Sequence, residues 1–438
     1  LVVRCRIKVA GRLERFADPA LREEPRKSHF LAAINQPCDP CRAHAWQSYV
    51  TELQTGGTAR VIYAQLQARL MVNMAGGVME NAGLCLDRFG MPYIPGSAVK
   101  GCARRAALAA LREWCETGTQ LGTGPTDQDN LFAKACARST TPADMLAAIA
   151  RVFGWCDQDW SSESPKSDFA WAANTDPAVL GTARAAVAKY LNRPADDLGA
   201  AAGTVSFLLA YPVALGQTGR VDALPARVPE LGKLELDIVT CHHRAYYDGA
   251  LAVATDTEEP NPVVFPAVAA GHVFAFALNR RRSASPEDLA LASAWLACGL
   301  TAFGVGAKTN AGYGWFAEVT EAIEGARERA IQQARDAEQA RRQAEEAERA
   351  RAQLQPDPEL LAQLKTLKET DLRGRINPYA AEPKYWSESS DRVQLTILHF
   401  LLVESPEIFK DDRSKPQSKI AKALAHLSAK FPNRGFNQ

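Results

Sequence analysis

Apolar and polar residues alternate most regularly between residues 60 and 74. The even-numbered positions there are mostly aliphatic, as at Ile62, whereas the odd-numbered positions include polar residues such as Gln65. Successive side chains of a strand point to opposite faces, so this alternation predicts a strand with one buried face. Gly76 and Gly77 are expected to break it.

Two segments carry the signals of a helix start. Ser97 is placed to cap a helix rich in Ala, Leu and Arg that continues to about Cys115 and ends in the glycines of 118–124. The run Ser285-Pro286-Glu287-Asp288 combines a capping serine, a proline at the first helical position and an acid at the third. This second helix is predicted to end at about Phe303.

Weaker patterns predict the remaining elements. Further strands are predicted at 84–86, 203–213, 234–239, 272–278 and 315–319, with 203–213 as a central strand. Residues 118–200 are mixed and partly helical, which indicates an insertion. Residues 216–266 are rich in Pro, Gly and acidic residues and predict a long protruding loop or hairpin.

Without the insertions, the order is strand, helix, strand, strand, helix, strand. This is the split βαβ pattern of an α+β, ferredoxin-like (RRM-like) domain, a common RNA-binding scaffold. We predict such a core at 59–320, after an N-terminal extension at 1–58. Residues 321–353, almost entirely Ala, Arg, Glu and Gln, predict an exposed spacer helix, with coiled-coil pairing as the alternative. Residues 354–438 suggest a small helical domain.

The overall charge neither favours nor excludes nucleic acid. The chain has 51 Lys and Arg against 50 Asp and Glu, so a phosphate-binding surface has to arise from local clustering. The ten cysteines lack the dense spacing of a secreted, disulfide-stapled domain, and no apolar signal region is visible in the first thirty residues. We therefore expect a cytoplasmic protein with no membrane partner.

The first candidate binding segment is the predicted helix start at residues 95–104. The first turn of a helix has unpaired N–H groups that attract phosphate. Lys100 and Arg104 are four residues apart and share a face, beside Ser97 and Arg105. The alternative is a solvated helix face on which Gly101 permits close packing against the sheet.

The second candidate is the glycine-rich loop of residues 304–314. Glycines such as Gly304 and Gly306 let a backbone approach a phosphodiester chain closely, and Lys308 with Thr309 adds a charge and a hydroxyl. Tyr313 could stack on a base. The loop lies between a helix and a strand, which is the reverse of the P-loop order. The alternative is a purely structural turn with a packing tyrosine.

A third candidate is His242, His243 and Arg244, followed by Tyr246 and Tyr247. These side chains could contact and stack on unpaired nucleotides. Adjacent histidines in an extended segment point to opposite faces, which disfavours a shared metal ion, although a role as general base stays open.

The lone Cys38-x-x-Cys41 pair with His44 is weak evidence for zinc. No Ser-His-Asp or paired-carboxylate arrangement stands out. We therefore predict no catalytic residue, metal or cofactor.

Together these segments resemble the RAMP superfamily of CRISPR proteins. Residues 90–104 match its stretch Gly-x-Pro-Tyr-Ile-Pro-Gly-Ser-x-x-Lys-Gly-x-x-Arg, and residues 304–314 match its late glycine-rich loop. Residues 236–243, 246–247 and 259–263 look like the sixth-Cmr-subunit family of type III-B complexes. In that family a proline commonly precedes the first histidine, where this chain has Cys241.

The resemblance implies a non-catalytic subunit of a cytoplasmic antiviral ribonucleoprotein. It would grip guide RNA near the 3′ end, meet target RNA and other Cmr subunits, and cap the backbone filament. Carried over by residue, Ser97, Lys100 and Arg104 would hold phosphates, with Lys308 and Tyr313 in the loop. One alternative is a metal-independent endoribonuclease that processes guide RNA through His242 or His243. Another is a cap that contacts only proteins.

Overall fold

The structure is a computed structural model. It describes residues 34–35, 38–72, 84–119, 139–215, 221, 224–241, 243–255, 261–281, 285–381 and 389–432. The chain divides into two compact units, 1–330 and 331–438. The predicted strand break at Gly76 and Gly77, and His242, lie outside the described residues.

The first unit is built around an antiparallel sheet. The strands are β1 Ala59–Leu66, β2 Gly154–Trp155, β3 Ala201–Ala202, β4 Val205–Phe207, β5 Tyr211–Pro212, β6 Leu234–Cys241, β7 Asn261–Val268, β8 Val273–Arg280 and β9 Phe316–Glu318. The main sheet has the order β4-β8-β1-β9, each neighbouring pair is antiparallel, and β5 also pairs with β8. In register, Ile62 faces Phe276 and Leu66 faces Phe316. The alternation that begins at residue 60 therefore predicts a central strand of this sheet. The single buried face expected from it is wrong, because Tyr63 and Gln65 are buried as well as Ile62, and β1 ends at Leu66.

The strand predicted at 203–213 is not central. It forms the two short strands β4 and β5, both paired only with β8. The other side of β8 is already occupied by β1, and the segment between β4 and β5 leaves the sheet so that the Ala210 N–H bonds the Ile94 carbonyl at 2.9 Å. The prediction of a central strand was wrong because strong β propensity does not determine a strand's place in the sheet.

Helices cover the sheet and form the inserted segment. In the first unit they are α1 Cys41–Thr55, α2 Gly96–Thr117, α3 Pro142–Phe153, α4 Asp168–Ala172, α5 Pro177–Leu191, α6 Arg244–Tyr247 and α7 Pro286–Ala302. Ser285 caps α7 as predicted, because its side chain accepts the Asp288 N–H at 3.1 Å. Ser97 does not cap α2. That helix begins at Gly96, two residues earlier than a cap at Ser97 predicts, so Ser97 lies inside its first turn.

Helices α2 and α7 cross in close contact above the sheet. A Cβ on Gly299 of α7 would lie 2.7 Å from the Cys102 carbonyl oxygen of α2, so only glycine allows this approach. The contact places the C-terminal end of α7, and the loop that follows it, beside the start of α2. Gly101 is exposed and does not pack on the sheet, contrary to the structural role considered for it.

Strands β6 and β7 form a hairpin of eight paired positions, from Leu234 opposite Val268 to Cys241 opposite Asn261. It confirms the hairpin expected at 216–266, although β7 continues two residues beyond that stretch to Val268 and β6 is two residues longer than predicted. The observed architecture is therefore mixed α and β, with antiparallel sheets and many helices.

The second unit is helical. The long helix α8 covers Thr320–Gln353, so its first eleven residues belong to the first unit and the rest to the second. It is followed by α9 Pro358–Thr366, α10 Glu369–Ile376, α11 Pro378–Ala381, α12 Asp391–His399, α13 Lys410–Arg413 and α14 Lys419–Lys430. Its apolar core includes Leu364, Ile376, Leu395 and Leu427. Within the described part of the chain, no helix is long and apolar enough to span a bilayer.

Candidate nucleic-acid interface

The start of α2 and the glycine-rich loop meet in one groove of about 400 Å³, which we call the loop groove. It is lined by Val72, Ala98, Gly101, Cys102, Arg105, Gly304, Val305, Gly306, Ala307 and Thr309. A hydrogen bond from the Cys102 thiol to the Gly304 carbonyl, at 3.4 Å, joins the two elements. No carboxylate is among these lining residues. Two of the three candidate segments therefore converge.

Three glycines of this loop, Gly304, Gly306 and Gly314, are needed to close it against the chain's own backbone. Gly306 has φ of +98°, and a Cβ there would collide with the Met71 carbonyl oxygen. Beside it, the Ala307 N–H donates to that oxygen at 2.8 Å, and the Gly314 N–H donates to the Arg69 carbonyl at 2.8 Å. Close approach by RNA is therefore not required to explain the glycines, although the outer side of Gly306 is exposed.

Lys308 and Tyr313 face the β6–β7 hairpin and do not line the loop groove. The Lys308 Nζ lies 4.9 Å from the centre of the Phe265 ring. The Tyr313 hydroxyl donates to the Asp237 carboxylate, which also accepts a bond from Arg69 at 2.9 Å. Burial and this carboxylate raise the pKa of Tyr313 to about 12. In this arrangement Tyr313 packs on the hairpin, as in the structural alternative considered for it.

Arg105 supplies the positive charge of the loop groove. It is exposed, and its guanidinium carbon lies 4.7 Å from the centre of the Phe303 ring. Stacking on an aromatic ring orients the guanidinium without neutralising it.

A second groove lies on the other flank of α2, and we call it the edge groove because it follows the sheet edge at β4. Its lining residues are Gly96, Ser97, Lys100, Ala202, Gly203, Val205, Ser206, Phe207 and Arg281. Burial and the neighbouring Arg104 lower the pKa of Lys100. Arg281 donates to the Gly203 carbonyl at 3.2 Å. Sequence reasoning missed Arg281, although the run Arg280-Arg281-Arg282 at the end of a predicted strand was a visible signal.

Arg104 is held by the inserted helices. It forms ion pairs with Asp168 and, at 3.8 Å, with Asp159, and it lies 5.7 Å from the centre of the Phe169 ring. The spacing that predicted a shared face for Lys100 and Arg104 is correct. The carboxylates of the insertion nevertheless neutralise Arg104 and leave Lys100 without an acidic partner in the described structure.

The third candidate segment lies at the end of the β6–β7 hairpin. His243 follows β6 with φ of +61°, and Arg244 is the first residue of α6. Tyr246 and Tyr247 are exposed, with ring centres 5.5 Å apart. None of these described residues of the segment lines either groove.

Two observations concern metal binding. Among the described residues, no group of three or more His, Cys, Asp or Glu is arranged to hold a metal ion. The Cys38 thiol donates to the Leu231 carbonyl at 3.3 Å, while Cys41 is exposed.

Comparison with known proteins bears on the resemblance. No family model matches the chain. The chain is 26% identical, over 264 residues, to the CRISPR system Cmr subunit Cmr6 of Pyrococcus furiosus. The chain resembles Cmr6. The match spans 58% of this chain and 66% of that protein, just under two thirds of its length. The predicted likeness to the sixth-Cmr-subunit family is therefore confirmed.

Two solved structures are also similar to this chain. One is a cryo-EM structure of the type III-B Cmr-beta bound to cognate target RNA, with 15% identity and a TM-score of 0.34, covering 65% of this chain and 67% of that one. The other is the crystal structure of Cmr6 from Pyrococcus furiosus, with 20% identity and a TM-score of 0.27, covering 60% of this chain and 98% of that one.

Proposed function

We propose that this chain is a non-catalytic, RNA-binding subunit of a type III-B CRISPR ribonucleoprotein. It grips guide RNA near the 3′ end, caps the backbone filament beside other Cmr subunits, and meets target RNA there. The sequence match to Cmr6 supports the kind of complex. The observation that carries RNA binding is the loop groove, where two elements far apart in sequence meet around Arg105, with no carboxylate among the described lining residues.

The proposed core is ferredoxin-like. In chain order β1, β4, β8 and β9 are its four strands, and α2 and α7 are its two helices. Across the sheet they lie in the order β4-β8-β1-β9, so the second strand in chain order is followed by the third, the first and the fourth. Every neighbouring pair is antiparallel. This order is the one expected when two split βαβ units interlock. The insertion and the β6–β7 hairpin are then additions to that core.

Binding of RNA through Arg105 and Lys100 is expected to be independent of base sequence. Phosphates are the same at every nucleotide, so contacts to them position a strand without reading it. The affinity of such an interface depends on salt, because each neutralised phosphate releases counterions. A subunit that must accept guides of any sequence needs this kind of interface.

The test is a charge-removal experiment on the full chain. The double variant Lys100→Ala with Arg105→Ala removes one cation from each groove. We expect at least a tenfold loss of affinity for single-stranded RNA near physiological salt, and a decrease of about 0.7 per lost contact in the slope of log affinity against log salt. Fluorescence anisotropy at several salt concentrations measures both quantities.

The matched control is Lys189→Ala with Arg193→Ala. Both residues are exposed, both lie in or just after α5, and neither lines a groove. The control has the same net charge as the test variant. Equal RNA affinity for the two doubles would contradict the proposed site, since only total charge would then matter.

The rival activities have their own readouts. Incubation with repeat-containing RNA, with and without EDTA, tests for metal-independent cleavage, and its loss in His243→Ala would support the endoribonuclease. Copurification with Cmr subunits without any crosslink to RNA would instead support a cap that contacts only proteins. Either outcome overturns the proposal.

A further inference from the structure

The two grooves lie on opposite flanks of one helix and share no lining residue. From α2 the loop groove takes Ala98, Gly101, Cys102 and Arg105, and the edge groove takes Gly96, Ser97 and Lys100. Helical residues three or four apart are neighbours on the surface, so these two sets form adjacent rows. Only the first turns of α2 separate the grooves.

The ridge between the grooves is unusually low. Its exposed residues are Ser97 and Gly101, with half-buried Ala98 between them. Gly101 has no side chain, so at this position only the helix backbone stands between the grooves. The Cα atoms of a helix lie on a cylinder about 5 Å across. A polymer chain can pass over this point from one groove to the other.

Packing within the protein does not explain Gly101. A Cβ at that position would meet no atom within 4 Å, and its backbone is in the ordinary helical region. Glycine weakens a helix relative to alanine, so the fold gains nothing from its presence there. This distinguishes Gly101 from Gly299 and Gly306, where the chain's own backbone leaves no room for a Cβ.

The edge groove has the chemistry of an anion site. Lys100 from α2 and Arg281 from the end of β8 both line it, and neither has an acidic partner among the described residues. Ser97 and Ser206 add two hydroxyl groups, and the lining includes no carboxylate. Two cations from segments 181 residues apart in sequence therefore line one groove, and an anion bound there would be attracted by both.

We propose that one RNA strand crosses α2 at Gly101, with one phosphate in the loop groove at Arg105 and a further phosphate in the edge groove between Lys100 and Arg281. This inference rests on the proposed RNA-binding function. It adds a second phosphate site, a residue outside the predicted set, and a path for the strand.

The test blocks the crossing without removing a cation. Gly101→Gln places an uncharged side chain on the ridge, where the free protein has space for it, whereas Gly101→Ala stays small. We expect Gln to lower the affinity of the full chain for single-stranded RNA about tenfold relative to Ala, as expected when one charged contact is lost. Thermal unfolding of both variants checks that the fold is retained.

Gly181→Gln is the matched control. Gly181 is also exposed and helical, and a Cβ at that position would likewise meet no atom within 4 Å, but it lies in α5 away from both grooves. This variant should bind RNA like the unaltered chain. Gln and Ala variants of Gly101 that bind alike would overturn the crossing.

A second experiment separates the two grooves. Arg281→Ala should decrease the slope of log affinity against log salt by about 0.7, as for one lost phosphate contact. An unchanged slope for Arg281→Ala, with a decreased slope for Arg105→Ala, would overturn the edge-groove site and leave the proposed function standing. If the unaltered chain binds no RNA, the proposed function itself fails.

Discussion

Lys100 and Arg104 lie one turn apart on the same face of α2 but have opposite surroundings. Arg104 meets the carboxylates of Asp168 and Asp159 from the inserted helices. Lys100 lines the edge groove together with Arg281, and it has no acidic partner among the described residues. Helical spacing makes the two cations equivalent, and the segments that fold against them decide their roles. The insertion neutralises Arg104 and leaves Lys100, one turn earlier on the same face, without an acidic partner in the described structure.

The two sides also differ in what they offer a ligand. An arginine already paired with two carboxylates gains little from a phosphate, because the phosphate has to compete with charges that are covalently part of the protein. A half-buried lysine beside another cation has no such competitor, and any anion that arrives relieves repulsion. The lowered pKa of Lys100 reflects its burial and the positive charge of the neighbouring Arg104. We therefore expect the stability of the fold to depend on Arg104, which faces the insertion (the insertion side). We expect RNA affinity to depend on Lys100 and Arg105, which line the grooves (the groove side).

The largest expected effect is in the loop that forms one wall of the loop groove. Gly306→Ala places a Cβ against the Met71 carbonyl oxygen at a positive φ, and should lower the free energy of unfolding by about 3 kcal/mol. Gly312→Ala is its control, since φ there is also positive, at +89°, but the space around it is open. It should cost about 1 kcal/mol. Urea denaturation of both variants measures the difference, and equal costs would mean that the loop does not close on residue 71.

A smaller effect is expected on the insertion side. Arg104→Met keeps the aliphatic stem but removes the ion pairs with Asp168 and Asp159, and should lower the free energy of unfolding by about 1 kcal/mol. RNA affinity should change less than twofold, in contrast to Arg105→Met on the groove side, where affinity falls and stability is nearly unchanged. Urea denaturation measures the stability of both variants, and RNA titration measures their affinity. Together they test whether Arg104 contributes to stability and Arg105 to RNA binding. A large loss of RNA affinity in Arg104→Met would remove the distinction between the two sides.

Local patterns predicted the elements that depend on local physics. The alternation from residue 60 predicts β1, and the capping signals from Ser285 predict α7, because side-chain direction and helix capping are decided within a few residues. The resemblance to a known family brought the start of α2 and the glycine-rich loop together as one site. Their convergence could not be derived from spacing alone.

Contacts between distant segments were not predictable in the same way. Asp168 lies 64 residues beyond Arg104, and no pattern in either segment indicates that they pair. The sequence does not distinguish a glycine that makes room for the protein's own backbone, as at Gly306, from one that makes room for a bound RNA strand, as we infer at Gly101. Tyr313 looked free to stack on a base until the hairpin placed Asp237 beside its hydroxyl. The position of a strand within a sheet, as at β4, depends on such contacts too.

The smallest expected effect comes from releasing Arg104. Asp168→Asn removes its main carboxylate partner at an exposed position, and leaves the weaker pair with Asp159 at 3.8 Å. Part of the Arg104 charge then becomes available beside Lys100, so RNA affinity should rise about twofold and its salt dependence should become slightly steeper. Asp197→Asn removes an equal charge at another exposed position of the insertion, and controls for the change in net charge. If both variants gain affinity equally, the gain comes from total charge, and neutralisation by the insertion does not decide which cations of α2 meet RNA.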